Sequence, residues 1–184
     1  DVAASPQTIC SGTSTSVAIT NPNGVPGTIF HWTVFSVTNV SGAAAGNGNT
    51  ISQVLTSTDG VNTGTVTYRI TPIANGCAGT PVDVTVTVTA KPVITNTSTS
   101  LIQEICSGTA LSFLPTSSIG GTTYSWTSSV IGVLTGVSAS GTGAITDTPV
   151  NGTNSSAVII YTITPTSSGC IGLPANLVVT VRPV

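Results

Sequence analysis

Four short strings in this chain of 184 residues occur twice, in the same order and at nearly one spacing. Ile9-Cys10-Ser11-Gly12-Thr13 returns as Ile105-Cys106-Ser107-Gly108-Thr109, and Trp32 returns as Trp126. Tyr68-Arg69-Ile70-Thr71-Pro72 returns as Tyr161-Thr162-Ile163-Thr164-Pro165. Gly76-Cys77-Ala78-Gly79-Thr80-Pro81 returns as Gly169-Cys170-Ile171-Gly172-Leu173-Pro174. The offset stays between 93 and 96 residues. A duplication of this kind limits the fold strongly, because each copy must close on its own. We read two homologous domains, 1–92 and 93–184. The chain starts at Asp1 and stops about where a third copy would begin, as expected of a processed chain or a segment of a longer array.

Each copy reads as an all-β sandwich of about seven strands. Thr65-Val66-Thr67-Tyr68-Arg69-Ile70 alternates strictly, which places Val66, Tyr68 and Ile70 on one face. Val82, Val84, Val86 and Val88 alternate with Asp83, Thr85 and Thr87 in the same way. Asn75-Gly76 lies between these runs, a dipeptide suited to the positive φ angles of a tight hairpin. Further strand candidates are 15–19, 29–34 and 51–55 in the first copy. In the second they are 111–114, 122–127, 144–146, 157–163 and 175–181. Short strands at this density around one Trp per copy match an immunoglobulin-like sandwich. Trp32, Tyr68, Trp126 and Tyr161 are the expected core aromatics.

Charge narrows the function classes. Only 8 residues are charged, 3 basic and 5 acidic, or 4% of the chain; an average soluble domain has roughly 25%. Three basic residues cannot neutralise a nucleic-acid backbone, nor form a polybasic membrane patch. No apolar run reaches the ~18–20 residues of a membrane span. Yet the chain is 39% hydrophobic at a net charge of −2, the reverse of a disordered composition. Ser and Thr, 58 in all, must keep the surface wet. Soluble β proteins guard exposed sheet edges with charges. With few to spare, these edges are expected to be covered, bent, glycosylated or used for contact.

Four cysteines allow three pairings. A duplication in which each copy closes alone selects Cys10–Cys77 and Cys106–Cys170, one disulfide per domain. Each bridge would close a loop of more than 60 residues, worth about 4 kcal/mol in the chain-entropy picture. There is no Cys-x-x-Cys spacing for zinc. Stable disulfides imply an oxidising location: periplasm, cell surface or outside.

The repeated motifs resemble one family. Ile-Cys-Ser-Gly-Thr, an aromatic-x-Trp-Thr strand (Phe30-His31-Trp32-Thr33; Tyr124-Ser125-Trp126-Thr127), Tyr-x-Ile-Thr-Pro and Gly-Cys-x-Gly-x-Pro are similar to the PKD-like repeats of large Bacteroidota surface proteins. The resemblance covers nearly all of both copies. It implies an immunoglobulin-like sandwich in a long secreted protein of the adhesion or gliding-motility kind, with export by type IX secretion. Ordinary PKD domains carry Phe-Gly-Asp-Gly after the Trp; here Thr33-Val34-Phe35-Ser36 stands in that place.

Residues for chemistry are sparse. His31 is the only histidine, Ser125 replaces it in the second copy, and no Gly-x-Ser-x-Gly nucleophile elbow occurs. The acids are scattered, against the paired carboxylates of a glycosidase. Asp59-Gly60-Val61-Asn62 comes nearest to a calcium loop and reads more simply as a turn. Asn39, Asn96, Asn151 and Asn154 open N-x-Ser/Thr triplets. No catalytic residue, cofactor or metal is therefore expected. The reading is a non-enzymatic extracellular module of a surface adhesin, stalk or fibre. A glycan- or protein-binding module and a subunit of a self-assembling filament are the alternatives. Expected partners are neighbouring repeats of the same or identical chains, with surface glycans or a substratum as further candidates.

One difference between the copies marks a face. The outward positions Thr65, Thr67 and Thr85 become Val158, Ile160 and Val178, while the inward pattern is kept. Strands apolar on both faces are usually buried on both. Either the apolar loop 130–137 of the same domain or a neighbouring domain or subunit covers the patch.

Overall fold

The alternating Thr/Val segments build the central strands of both halves. The computed structural model describes residues 1–184 and divides into two units, Asp1–Ala90 and Lys91–Val184. All regular secondary structure is β. No helix is long and apolar enough to cross a membrane.

In unit 1 the central strand Gly64–Ala74 pairs antiparallel with Val82–Thr89 on one side and Ile29–Thr38 on the other. Gln7–Cys10 joins the outer side of Val82–Thr89 in parallel, and Gly46–Asn47 forms the opposite edge. Val66, Tyr68, Ile70, Val84, Val86 and Val88 point inward and are buried, as their period-two spacing requires. They meet Val17, Ile19, Ile51 and Leu55 from the second layer. That layer comprises two three-stranded sheets. One holds Ala3–Ala4, Val17–Thr20 and Thr50–Ile51; the other holds Thr13–Ser14, Val54–Ser57 and Val40–Ser41.

The strand expected over 51–55 breaks at Ser52-Gln53. Buried Thr15 bridges the gap: its hydroxyl donates to the Ile51 carbonyl at 2.7 Å and accepts from Gln53 N–H at 2.9 Å. These bonds replace ladder bonds.

Unit 2 repeats the large sheet. Ala157–Ser167 lies between Ala175–Arg182 and Thr123–Ile131, both antiparallel. Ile102–Cys106 runs parallel to Ala175–Arg182, and Ser140–Thr142 forms the far edge. The second layer differs from expectation. The strands foreseen at 111–114 and 144–146 reduce to one bridge, where Phe113 and Ile145 exchange backbone bonds of 3.1 and 2.9 Å. The next donor along this ladder would come from residue 115, a proline with no N–H.

Tight turns end the central strands. Asn75 and Gly76 (φ 50° and 79°) join Ala74 to its partner Cys77, and Ser168 and Gly169 (φ 48° and 78°) join Ser167 to Cys170. Both residues of such a loop need positive φ, the signature of a two-residue hairpin matched to strand twist.

The cysteine pairing within each unit is overturned. Cys77 and Cys106 are free and exposed, while Cys10 and Cys170 are the disulfide-bonded cysteines. The reason is the parallel first strand. It places Cys10 opposite Thr89, at the pole where the chain leaves unit 1. Cys77 lies at the other pole, opposite Ala74. Ala74 and Gly64 are separated by ten strand steps, about 33 Å at ~3.3 Å per residue. A disulfide tolerates a Cα separation of about 4.4–6.8 Å. Unit 2 has the same geometry: Cys106 stands opposite Arg182 at one pole, Cys170 opposite Ser167 at the other.

Candidate functional site

The four core aromatics form an interior device in each unit. Trp32 and Trp126 are both only 6% exposed. Each indole lies flat against a glycine on the short edge strand. A Cβ on Gly46 would stand 2.6 Å from Trp32 Cζ2, and one on Gly141 would press still closer on Trp126. Trp32 Nε1 donates to the Ala44 carbonyl at 3.2 Å. Trp126 Nε1 is buried without a partner, and its ring meets Tyr161 edge-on at 5.5 Å.

The tyrosines end on different acceptors. Tyr68 O–H donates to Gln53 Oε1 at 2.7 Å, and Gln53 clasps both backbone groups of Ala44. Tyr161 O–H donates to Asp147 Oδ2 at 2.7 Å, and Asp147 also accepts from Ser138 N–H and Oγ–H. Burial pushes the Tyr68 hydroxyl up to about 12. Burial raises Tyr161 further, aided by its bond to the Asp147 carboxylate. These groups hold the two layers together.

The outer faces of the large sheets differ between units. In unit 1, Thr67 and Thr85 share a hydroxyl–hydroxyl bond of 3.2 Å. Next to them Arg69 grips Asp83 through Nε and Nη2 at 2.8 and 2.7 Å. This bond raises the Arg69 pKa and holds the Asp83 carboxyl below its usual range. The register slips here: Thr67 faces Ser36 while Tyr68 faces Val34, so Phe35 is the extra residue of a bulge. Its ring is 55% exposed, and the Arg69 guanidinium covers it at 3.8 Å from the centroid. The bulge re-aims one side chain to the outer face. In the sequence it corresponds to a change of phase in the apolar alternation, from Phe30, Trp32 and Val34 to Phe35 and Val37.

In unit 2 the Thr pair becomes Ile160 opposite Val178, and the ion pair becomes Thr162 Oγ1 donating to Asn176 Oδ1 at 3.0 Å. Val158, Ile160 and Val178 are half-buried and adjacent in register. The patch extends past the residues picked out from sequence. Ile102 stands opposite Val178 and is 68% exposed; Ile131 stands opposite Val158 and is 61% exposed. Leu134 and Val137, from the loop proposed as a cover, pack on the core cluster instead.

The Asp59 loop is a closed turn. Its Oδ1 accepts from Val61 N–H and Asn62 N–H at 2.9 Å and from the Ser57 hydroxyl at 3.3 Å. Its Oδ2 accepts from Asn62 Nδ2 at 2.8 Å. These donors, the Asn62 side chain foremost, hold its carboxyl well below the usual range. His31 points to solvent from its strand. No group of three or more His, Cys, Asp or Glu side chains is placed to hold a metal ion.

Comparison with known proteins follows this geometry. A PKD-like domain family model matches residues 7–92 and 103–184. No curated protein sequence matches. Among solved structures, the chain is similar to the DIP-gamma IG1+IG2 structure, at 10% identity and TM-score 0.37, covering 100% of this chain and 97% of that one. It is also similar to the fibronectin(III)-like modules of Clostridium thermocellum CbhA, at 12% identity and TM-score 0.34, covering 100% and 95%. A third is the human mucin-like protocadherin EC1-2, at 13% identity and TM-score 0.37, covering 100% and 98%.

Proposed function

Since this chain belongs to the PKD-like domain family, with two copies in tandem, we propose that it is a non-enzymatic structural and adhesive module of the cell exterior that carries load along a surface protein or fibre. The observation that carries this reading is the parallel pairing of the first and last strands of each large sheet. Gln7–Cys10 is laddered to Val82–Thr89 over four residue pairs, and Ile102–Cys106 to Ala175–Arg182 over five. Tension between the ends of a unit pulls these strands in opposite directions along their length. All the ladder bonds are then sheared together, whereas an antiparallel hairpin pulled from its open end unzips bond by bond. The low charge fits the same role, since little repulsion opposes close contact between neighbours.

Single-molecule stretching of the chain under reducing conditions, so that the disulfide at Cys10 and Cys170 does not carry the tension past the ladders, tests this. Each unit is expected to resist strongly when pulled from its ends and weakly when the handle is moved to the Asn75-Gly76 or Ser168-Gly169 turn. Equal forces in the two geometries sink the load-bearing reading.

A second surface supports lateral association. The apolar row Val158, Ile160 and Val178, continued by Ile102 and Ile131, is the face we assign to contact with a neighbouring domain or chain. Val158, Ile160 and Val178 are already half-buried, so covering each is worth less than the ~1.5–3 kcal/mol of burying a fully exposed aliphatic side chain. The triple change Val158→Thr, Ile160→Thr and Val178→Thr restores the unit 1 surface. It is expected to lower self-association in sedimentation while leaving unit 2 folded. Unchanged association with a less stable unit 2 overturns the assignment.

A further inference from the structure

The outer face of unit 2 carries a hollow bounded by hydroxyls. It spans the edge strand Ser140–Thr142 and the strands Thr123–Ile131 and Ala157–Ser167, with a volume of about 340 Å³. Sites for small ligands run from ~300 to 1,000 Å³. Six hydroxyl side chains line it: Ser125, Thr127, Ser140, Thr142, Thr162 and Thr164. The register brings them together. Ser125 stands opposite Thr142 on one side and Thr164 on the other, and Thr127 stands opposite Ser140 and Thr162 in the same way. Two rows of three hydroxyls therefore cross three adjacent strands, about 4.8 Å apart. The alternate residues Trp126 and Ile163 point inward and are buried, which leaves the hydroxyls on the outer face.

Only Thr162 is engaged within the fold, donating to Asn176 Oδ1 at 3.0 Å. The other five hydroxyls have no hydrogen-bond partner in the chain. Trp126 also lines the hollow, and its buried Nε1 is a donor that the fold leaves unmet. No charged side chain reaches the hollow. Arg182 is held by Glu104, and Asp147 accepts from Tyr161. Unit 1 does not repeat the arrangement. Its register places His31, Thr33, Asn47, Arg69 and Thr71 at the corresponding positions. There Arg69 is tied to Asp83 and laid over Phe35, the extra residue of the bulge. The matching strand pair of unit 2 runs without a register shift.

These features define a ligand chemistry. A hydroxyl both donates and accepts, so a wall of hydroxyls suits a partner whose groups also do both. A charged ligand would lose hydration and gain no counter-charge. The hollow ends on an aliphatic rim at Ile160, two residues before Thr162 on the same face. Hydroxyls beside an apolar edge match a sugar ring, with its polar rim and C–H face. We propose that this hollow binds a neutral oligosaccharide. Its hydroxyls bond to Ser125, Thr127, Ser140, Thr142 and Thr164, and a ring C–H face meets Ile160. The site shares only Ile160 with the apolar row, and its failure leaves the load-bearing argument intact.

The test titrates the whole chain with cellohexaose, with mannohexaose and, as a charged counterpart, with a hyaluronan hexasaccharide. Calorimetry and indole emission, to which Trp126 contributes from the wall, report binding. At least one neutral hexasaccharide is expected to bind, and the hyaluronan fragment to bind more weakly than it. Thr127→Val and Thr164→Val keep the β-branched shape and remove one hydroxyl each. Each is expected to weaken binding about 2- to 10-fold, with hydrogen exchange in unit 2 unchanged. Thr33→Val, the matching change in unit 1, is expected to leave binding as it was. The proposal is overturned if neither neutral sugar binds at millimolar concentration, or if hyaluronan binds as tightly. It is equally overturned if both unit 2 variants bind like wild type, or if Thr33→Val weakens binding as much as they do.

Discussion

Tyr68 and Tyr161 hold the same place in two homologous units yet end on chemically different acceptors, so one substitution made twice isolates the value of the acceptor. Both side chains are fully buried, and Tyr→Phe leaves their packing in place. Tyr68→Phe removes a 2.7 Å bond to an amide oxygen that still accepts from Ala44 N–H at 3.0 Å. A neutral bond of this sort is worth about 0.5–1.5 kcal/mol. Tyr161→Phe removes a 2.7 Å bond to a carboxylate oxygen that keeps only Ser138 N–H at 2.9 Å. Hydrogen bonds to charged groups are worth about 1.5–3 kcal/mol. Hydrogen exchange read by mass spectrometry reports each unit separately, which a melting curve of two overlapping transitions does not. The slowest amides of Gly64–Ala74 are expected to exchange about 2- to 10-fold faster in Tyr68→Phe, and those of Ala157–Ser167 about 10- to 150-fold faster in Tyr161→Phe. In an Asp147→Asn background, Tyr161→Phe is expected to fall to the smaller cost. Equal losses in the two units refute the reasoning, as does a Tyr161→Phe cost unchanged by Asp147→Asn.

Trp32→Ala and Trp126→Ala are each expected to cost about 3–5 kcal/mol in their own unit, with little change in exchange in the other. Gly46→Ala and Gly141→Ala force a methyl into the indole face and are expected to destabilise by about 1–3 kcal/mol; denaturant titration of each unit checks this. Asp59 and Asp83 have carboxyls held below the ordinary 3.8. Their contribution is therefore complete above that value and is lost as pH falls below it. Exchange in the 57–62 turn is expected to accelerate below pH 3.8, and Asp59→Asn to abolish that dependence. Tyr68 is displaced the other way, so its contribution holds below the ordinary value of 10 and is lost as pH rises from there past about 12; alkaline denaturation followed by tyrosinate absorbance checks it.

The two-unit organisation and the inward residues were legible in the sequence because both rest on local rules. Alternation has a period of two, so the inward set of Gly64–Ala74 and Val82–Thr89 follows from which positions are apolar. The Asn75-Gly76 turn follows from the φ its residues tolerate. The apolar row at Val158, Ile160 and Val178 was visible by comparing the two copies. Its extension to Ile102 and Ile131 was not, because those residues join it only through strand neighbours distant in sequence. Phe35 was missed for another reason: a bulge inserts one residue into the ladder, and its local trace is a change of phase, with apolar residues at Phe30, Trp32 and Val34 and then at Phe35 and Val37.

The cysteines divide the two kinds of information most plainly. Their number, their repetition and their positions relative to the strands are properties of the chain. Which of them can meet depends on the direction in which Gln7–Cys10 and Ile102–Cys106 join their sheets. Composition and periodicity are the same for a parallel and an antiparallel first strand, so the sequence alone leaves that direction undetermined. The tertiary structure selects parallel pairing, and a strand laid parallel carries its terminal cysteine to the far pole, about 33 Å from the partner that repetition alone would assign.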